Sequence, residues 1–186
     1  VLPFLRDSLK REYAWTDTYY GLEIFKSGQV LRVSKSLSRG KSRYFLGWKG
    51  RDTGTFANIR RELNEEITNG IDHSSILEWL SGEKRHYIFK EIIPELERLG
   101  HRRFMSYQGN SLVGRFESLG LNVKLMRCEA LKWPLLVEIE RIATTESGAS
   151  EAESELKELC DSYRFGDYLV KEEPGILLYN KLFGNL

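Results

Sequence analysis

Cysteine and histidine, the residues that most often reveal a metal site or a nucleophile, are scarce in this sequence. Its 186 residues contain two cysteines, Cys128 and Cys160, and three histidines, His73, His86 and His101. Two cysteines at this separation form neither a zinc-ligand spacing nor the disulfide framework of a small secreted protein. We therefore expect structural roles for these five residues and a reduced, cytoplasmic setting for the chain.

Long apolar runs and an excess of one charge are also missing. No run approaches the roughly 20 residues that a membrane-spanning helix needs, which argues against a membrane partner. The formal net charge is +1, so no broad basic surface for nucleic acid is expected. The stretch GWKGRDTG at 47–54 departs from the G-x-x-x-x-G-K-[ST] pattern, which argues against P-loop chemistry.

The sequence does contain many short segments rich in aromatic and branched apolar residues, separated by turns with glycine and serine. Such segments are typical of strands. Eight strands are predicted, at residues 16–25, 29–35, 42–49, 57–67, 102–107, 112–118, 122–128 and 135–142.

Helical spacing of apolar residues predicts helices around these strands. A short helix is expected over 3–13, a second with Asp72 as its cap, a third over 86–99 and a fourth over 150–160 with its cap among 147–150. The apolar tail, 175–183, is expected to be a strand or a helix. The whole pattern predicts one α+β domain, 1–186, in which an antiparallel sheet is closed or nearly closed into an eight-stranded barrel with helices outside.

The unusual feature of the predicted strands is that charged residues recur on the face opposite their apolar residues. Side chains repeat every two residues along a strand. The residues that share a face are therefore Arg60 with Glu62, Asn64 and Glu66; Arg32 with Ser34; Arg103 with Tyr107; and Glu138 with Glu140, while Lys49 ends its strand. A solvent face with cross-strand ion pairs would explain any one of these strands. Their recurrence favours a charged interior.

The pair of Glu138 and Glu140 suggests a cation. Two carboxylates about 7 Å apart on one face repel each other unless they are exposed or bind a cation. Mg²⁺ and Mn²⁺ prefer carboxylate oxygens and bind readily beside phosphates, while lysine and arginine bind phosphate oxygens. The pattern is compatible with phosphoryl-transfer chemistry but does not establish it.

In their order along the chain, the segments resemble the CYTH (triphosphate tunnel metalloenzyme) family over nearly the whole length. No single motif is specific, and the resemblance rests on their order and spacing. The motifs are TDTYYG at 16–21, LRVSK at 31–35, LGWKG at 46–50, IRRELNEEI at 59–67, LGHRRFMSY at 99–107, LLVEIER at 135–141 and LLYNKLF at 177–183.

The resemblance implies an eight-stranded antiparallel tunnel that binds a triphosphate with Mg²⁺ or Mn²⁺. It implies metal-binding and catalytic roles for Glu62, Glu138 and Glu140. It also implies that the phosphates are held by Arg32, Lys49, Arg60, Arg103 and Lys124, although the pattern leaves the face of Lys124 open. The chain departs from the family at Asn64, Ser34 and Cys128, which replace a Glu, an Arg and an Asp. The family's E-x-E-x-K first strand is expected upstream of Val1.

These observations lead to one expected function and two alternatives. The expected function is metal-dependent hydrolysis of a small triphosphate (inorganic, thiamine or nucleoside triphosphate), with a homodimer as one assembly to consider. The first alternative is a class IV adenylyl cyclase, which makes cyclic AMP from ATP. The second alternative, favoured by the departures, is a non-catalytic module that binds phosphate or nucleotides in a degenerate tunnel.

Overall fold

The computed structural model describes residues 9–184, and the strands in this part of the chain form one seven-stranded sheet. Its strands are β1 (Leu9–Tyr20), β2 (Val30–Ser38), β3 (Lys41–Lys49), β4 (Glu62–Glu66), β5 (Arg103–Phe116), β6 (Leu121–Arg127) and β7 (Leu135–Glu140). The order across the sheet is β4-β3-β2-β1-β5-β6-β7. The ladders within β1–β4 and within β5–β7 are antiparallel. The α+β class and the antiparallel sheet are therefore confirmed.

The sheet has one strand fewer than the eight predicted, because the strands predicted at 102–107 and 112–118 form one continuous strand, β5. Residues 108–111 are Gln, Gly, Asn and Ser, whose weak strand propensity predicted a break. β5 nevertheless runs through them, since its ladder with β6 already begins at Asn110. Within residues 9–184 the strand order starts at β4 and ends at β7, so closure into an eight-stranded barrel is not confirmed.

The first described residues also differ from the prediction. The helix predicted over 3–13 is wrong from Leu9 onward, because β1 begins there, and residues 1–8 lie outside the described part. The first predicted strand ends early, at Tyr20. Gly21 has a φ of 69°, a left-handed conformation that glycine adopts at little cost, and the short helix α1 (Leu22–Lys26) follows it.

Four further helices follow in the described chain, close to their predicted positions: α2 (Ser75–Ser81), α3 (Phe89–Arg98), α4 (Glu146–Ser162) and α5 (Pro174–Phe183). The apolar tail is therefore a helix. The caps differ from those predicted, because Ser74 rather than Asp72 accepts the Leu77 N–H, and Thr145 accepts the Gly148 N–H. No helix within residues 9–184 is both long enough and apolar enough to cross a membrane.

The strand predicted over 57–67 is shorter in the structure, since β4 contains only its second half. Residues 52–60 before it form an irregular segment, the β3–β4 loop. The Asp52 side chain accepts the backbone N–H groups of Gly54 and Ile59, both at 2.9 Å, and so bends this segment into a turn. Arg60 consequently lies in the loop and not on the strand that carries Glu62.

The chain forms two compact units. The first unit comprises Tyr13–Arg51 and Arg61–Gly109, and it contains β2, β3, β4, α1, α2 and α3. The second unit comprises Asp52–Arg60 with the described residues of Val1–Glu12 and Asn110–Leu186, and it contains β6, β7, α4 and α5. Strands β1 and β5 contribute residues to both units.

The core of the first unit lies on one face of its strands. Leu31, Val33 and Leu46 are buried on this face, as the alternation of side chains along β2 and β3 requires. They form one cluster with residues of α2, α3 and the adjoining segments, namely Tyr20, Ile67, Ile76, Leu77, Tyr87, Ile92 and Leu96. We call this side of the strands the core face.

The buried apolar side chains of the second unit come from β6, the segment after it, α4 and α5. They are Leu121, Val123, Met126, Leu131, Ala152 and Leu178. Cys128 and Cys160 are also buried, and both are free thiols. Burial raises the pKa of the Cys160 thiol, so its reactive thiolate form is disfavoured. Both cysteines occupy the places of small apolar core residues.

Candidate functional site

The strands of the first unit carry a second face, opposite the core face, and this one is rich in charge. Directly paired residues of an antiparallel ladder lie on the same face. The ladders align Tyr19, Arg32, Gly47 and Asn64 in one row across β1–β4. The neighbouring rows contribute Asp17 with Ser34 on one side and Lys49 with Glu62 on the other. These eight residues are the charged face.

Two cation–carboxylate pairs lie on the charged face, and each has at least one member that is well shielded from water, whereas 40% of the Glu62 side chain is exposed. Arg32 Nη1 lies 3.1 Å from Asp17 Oδ2, and 26% and 12% of the two side chains are exposed. Lys49 Nζ lies 2.9 Å from Glu62 Oε1, and 13% of the lysine side chain is exposed. Withdrawing charges from water costs free energy that an ion pair repays only in part. Such charges are concentrated at functional sites, which makes the charged face the strongest candidate in the first unit.

Gly47 leaves room in the middle of the charged face. A β-carbon at this position would lie 3.5 Å from the Arg32 side chain and 3.6 Å from Asn64 Oδ1. These are ordinary contact distances, so alanine would fit, but a longer side chain would lie between the guanidinium and the amide. The glycine therefore keeps the space beside Arg32 open.

Two buried tyrosines support the charged face from β1 and β5. The hydroxyls of Tyr19 and Tyr107 are hydrogen-bonded at 3.2 Å, and the ring of Tyr107 meets that of Trp15 edge to face. Burial, together with Tyr19 and Asp17 nearby, raises the pKa of Tyr107 well above its usual range. The Tyr107 hydroxyl therefore stays protonated, close to the Arg32–Asp17 pair.

In the second unit, the two carboxylates of β7 lie on one face of the sheet, as their spacing predicted. The β6–β7 ladder pairs Lys124 with Glu138 and Asn122 with Glu140. Lys124 Nζ lies 3.1 Å from Glu138 Oε2, and Asn122 Nδ2 donates to Glu140 Oε2 at 3.5 Å. Lys124 therefore shares the face of the two carboxylates, which the sequence pattern had left open.

The carboxylates of β7 offer a metal ion only part of a coordination shell. Within residues 9–184, no three or more His, Cys, Asp or Glu side chains gather closely enough to hold an ion. Mg²⁺ commonly binds through one or two carboxylates and completes its shell with phosphate oxygens and water. Glu138 and Glu140 therefore fit an ion that arrives with a phosphate ligand, and they do not fit one held by the protein alone.

Two of the predicted phosphate ligands lie outside these groups. Arg60 is in the β3–β4 loop, where its side chain is 5% exposed and its Nη1 lies 3.3 Å from Glu173 Oε1. Its buried Nε has no hydrogen-bond partner within the described chain. Arg103 is exposed at the start of β5, and its charge partly offsets the effect of burial, which raises the pKa of Tyr20.

The structure brings Arg32, Lys49 and Glu62 together in the first unit, and Lys124, Glu138 and Glu140 together in the second. Sequence reasoning missed Asp17, the partner of Arg32, and the tyrosine pair beside it. The signal was present in TDTYY, where Asp17 and Tyr19 alternate with the period of a strand.

The chain is similar to solved structures in its fold, although no family model and no curated protein matches it. A protein from Pyrococcus horikoshii matches with a TM-score of 0.64 and 19% identity, over 86% of this chain and 81% of that chain.

Two other similar structures carry functional descriptions. One, from Hippeastrum, is described as a candidate adenylyl cyclase with a dominant triphosphatase activity, and it matches with a TM-score of 0.59 and 15% identity over 98% of this chain and 87% of its own. The other, from Vibrio parahaemolyticus, is described as a candidate adenylate cyclase, and it matches with a TM-score of 0.57 and 10% identity over 88% and 80%. At these identities the likeness shows a shared fold alone.

Proposed function

We propose that the protein is a metal-dependent hydrolase of a small triphosphate and a member of the CYTH family. The observation that carries the proposal is the charged face, where Arg32 and Lys49 lie in neighbouring rows, shielded from water and each beside a carboxylate. The substrate class includes inorganic, thiamine and nucleoside triphosphates, because the side chains involved recognise the phosphates and not the group attached to them.

Arg32 and Lys49 have complementary properties for holding a phosphate chain. The planar guanidinium of arginine binds two oxygens at once, while the lysine ammonium acts as a compact point charge. Both are held in place before ligand arrives by Asp17 and Glu62. A triphosphate carries several negative charges, so it competes with a single carboxylate for either cation.

The metal in this proposal is Mg²⁺ or Mn²⁺, bound through Glu138 and Glu140, with Glu62 as a further candidate ligand. When bound, the ion neutralises charge on the phosphates, and a carboxylate of this set orients the attacking water. Arg60, Arg103 and Lys124 remain proposed phosphate ligands. Closure of the sheet into a tunnel belongs to the same proposal, as does a cytoplasmic location.

The descriptions of similar structures rank the alternatives. The dominant triphosphatase activity reported for the Hippeastrum protein supports our choice of hydrolysis as the first function, and the cyclase descriptions support formation of cyclic AMP from ATP as the second. A non-catalytic phosphate-binding module is third. Its support is Asn64, which lies in the Arg32 row of the charged face where the family carries a second glutamate.

Product analysis separates the three functions. The protein is incubated with tripolyphosphate, thiamine triphosphate and ATP, each with Mg²⁺, with Mn²⁺ and with a chelator. Metal-dependent release of inorganic phosphate is expected. Pyrophosphate together with cyclic AMP would establish the cyclase instead. Tight binding of a triphosphate without any turnover would exclude both enzymes and leave the binding module.

The Lys49→Ala and Arg32→Ala variants connect the activity with the charged face. Arg43→Ala is the matched control, because Arg43 lies on the same side of the strands and pairs with Glu66, yet 55% of its side chain is exposed. Loss of activity in the first two variants with retention in the control is expected. Equal activity in all three would remove the charged face from the proposal.

A further inference from the structure

The side chain of Glu153 in α4 accepts hydrogen bonds from three successive backbone amides of the β3–β4 loop. Glu153 Oε1 accepts the N–H groups of three successive residues, Thr55, Phe56 and Ala57, at 2.8, 2.6 and 2.9 Å. The Thr55 hydroxyl donates to the other oxygen, Oε2, at 3.3 Å. Successive amides that converge on one oxygen form the concave arrangement by which loops bind anions. We call the amides of these three residues the amide nest.

The loop's own residues hold the nest in shape. Asp52 accepts the N–H groups of Gly54 and Ile59 and thereby fixes both ends of the turn. A β-carbon at position 54 would lie 1.8 Å from the carbonyl oxygen of Ala57, so only glycine allows this close approach. These restraints do not involve Glu153, so the nest is expected to persist when that side chain is removed.

A lysine next to the nest adds positive charge. Lys171 Nζ donates to the carbonyl oxygens of Gly54 at 2.7 Å and Thr55 at 3.3 Å, and it lies 3.6 Å from the Asp52 carboxylate. The Asn58 side chain in turn donates to the Lys171 carbonyl oxygen at 2.7 Å. The cation is thus fixed against the same turn that presents the amides.

The same loop has a second anion-binding group, and it is occupied in the same way. Arg60 is buried against the Glu173 carboxylate, and its Nε is left without a hydrogen-bond partner within residues 9–184. A guanidinium with a buried, unsatisfied donor is poorly matched to a single carboxylate. The loop therefore presents more anion-binding donors than the chain's own carboxylates use.

We propose that the amide nest is a second anion-binding site, for a phosphate group, and that Glu153 occupies it as an internal ligand. The nest itself contains none of the residues of the proposed triphosphatase activity and does not depend on that activity, although Arg60, a proposed ligand of the triphosphate, lies in the same loop. A tethered carboxylate competes with an external anion as an intramolecular ligand. External phosphate therefore binds weakly while Glu153 is in place, and its binding detaches the loop from α4.

The test is a phosphate titration of the full chain and its Glu153→Ala variant, followed by the NMR shifts of the Thr55, Phe56 and Ala57 amides. We expect saturable shifts of these amides in the variant, with an affinity about tenfold or more above that of the unaltered protein. Chloride at equal ionic strength should give no such shifts. Glu158→Ala is the matched control on the exposed surface of α4 and should behave like the unaltered protein.

Two further variants identify where the phosphate binds. Lys171→Met in the Glu153→Ala background should weaken binding several-fold, whereas Arg32→Ala in that background should leave it unchanged. If Arg32→Ala abolished the phosphate response, the anion would belong to the charged face and the proposal would fail. If Glu153→Ala did not fold, Glu153→Met, which keeps the length of the side chain and removes its acceptor oxygens, would take its place. A folded variant with no saturable amide shifts would overturn the proposal.

Discussion

Cation–carboxylate pairs occur in both units, but water reaches them to different degrees. In the first unit each pair has one well-shielded member, since 12% of the Asp17 side chain and 13% of the Lys49 side chain are exposed, although 40% of Glu62 is exposed. In the second unit 30% of Lys124 and 44% of Glu138 are exposed. An exposed pair adds about 0–1 kcal/mol to stability, while a shielded pair costs desolvation and leaves an uncompensated charge when one partner is lost. The same substitution should therefore lower stability more in a shielded pair than in an exposed pair.

The difference in exposure also fits the two parts of the proposed site, the cations that bind phosphate and the carboxylates that bind metal. A shielded cation held in place before the ligand arrives interacts strongly with an anion, since little water must be displaced or reoriented. Exposed carboxylates exchange a hydrated ion readily, and Mg²⁺ keeps several of its waters when bound. The charged face thus fits the role of the phosphate site, and β7 fits that of an exchangeable metal site.

The largest expected effect comes from removing a shielded cation. Arg32→Ala and Lys49→Ala should each lower kcat/KM for the triphosphate by about 100-fold, the loss that follows removal of one donor to developing charge. Arg43→Ala should stay within about twofold, because its exposed pair contributes little. Steady-state kinetics on the best substrate gives the comparison. If Arg43→Ala lowered kcat/KM as much as Arg32→Ala and Lys49→Ala, the exposure of a pair would not determine its contribution to activity.

A stability cycle at the Arg32–Asp17 pair should give the next largest effect. Arg32→Met leaves the shielded Asp17 carboxylate without this partner and should lower the free energy of unfolding by about 2 kcal/mol. Adding Asp17→Asn removes the charge and should restore most of the loss. Lys124→Met in the second unit should cost less than about 1 kcal/mol. Urea denaturation measures all four proteins, and equal losses in the two units would contradict the contrast.

Neutralising the carboxylates of β7 should change the metal requirement. Glu138→Gln and Glu140→Gln should each raise the Mn²⁺ concentration needed for half-maximal activity by about tenfold, because each removes one of very few ligand oxygens. Stability should hardly change, since both side chains are exposed. Calorimetric titration of Mn²⁺ with tripolyphosphate present is the second measurement. Unaltered metal affinity in both variants would remove β7 from the metal site.

The sequence predicted the parts of the fold that depend on local pattern. Alternation located β2 and β3 and placed Glu138 and Glu140 on one face, because the period of a strand is a local property. Pairing between distant segments was not predictable in the same way. β5 crosses a stretch of weak propensity because β6 lies beside it, and only the ladder reveals this.

Candidate site residues were predictable as types of side chain but not as partners. Arg32 and Lys49 were recognised from strand motifs, whereas Asp17 as the counter-ion of Arg32 depends on the register of β1 against β2. Arg60 was assigned to a strand that in fact begins after it, because the Asp52 hydrogen bonds that bend the loop join residues up to seven positions apart. Glu153, 96 to 98 residues away from the amides that it binds, had no local signal at all.

The smallest expected effect concerns Glu153, a carboxylate whose main hydrogen-bond partners are backbone amides and not a side-chain cation. The N–H groups of Ala57 and Phe56, with a smaller contribution from Thr55, hold the pKa of Glu153 below its ordinary value of 4.5. A lowered pKa in the folded state means that Glu153 adds stability above about pH 4.5, and that this stability is lost as the pH falls through the lowered pKa. Urea unfolding of the unaltered protein and of Glu153→Gln should therefore differ by a constant amount between pH 7 and about 5 and converge in more acidic solution. The neighbouring charges of Asp52 and Lys171 are present in both proteins and cancel in the difference. Curves that stayed parallel down to pH 3 would show that the amides do not favour the charged form, and the contrast between amide-held and cation-held carboxylates would then lose its physical basis.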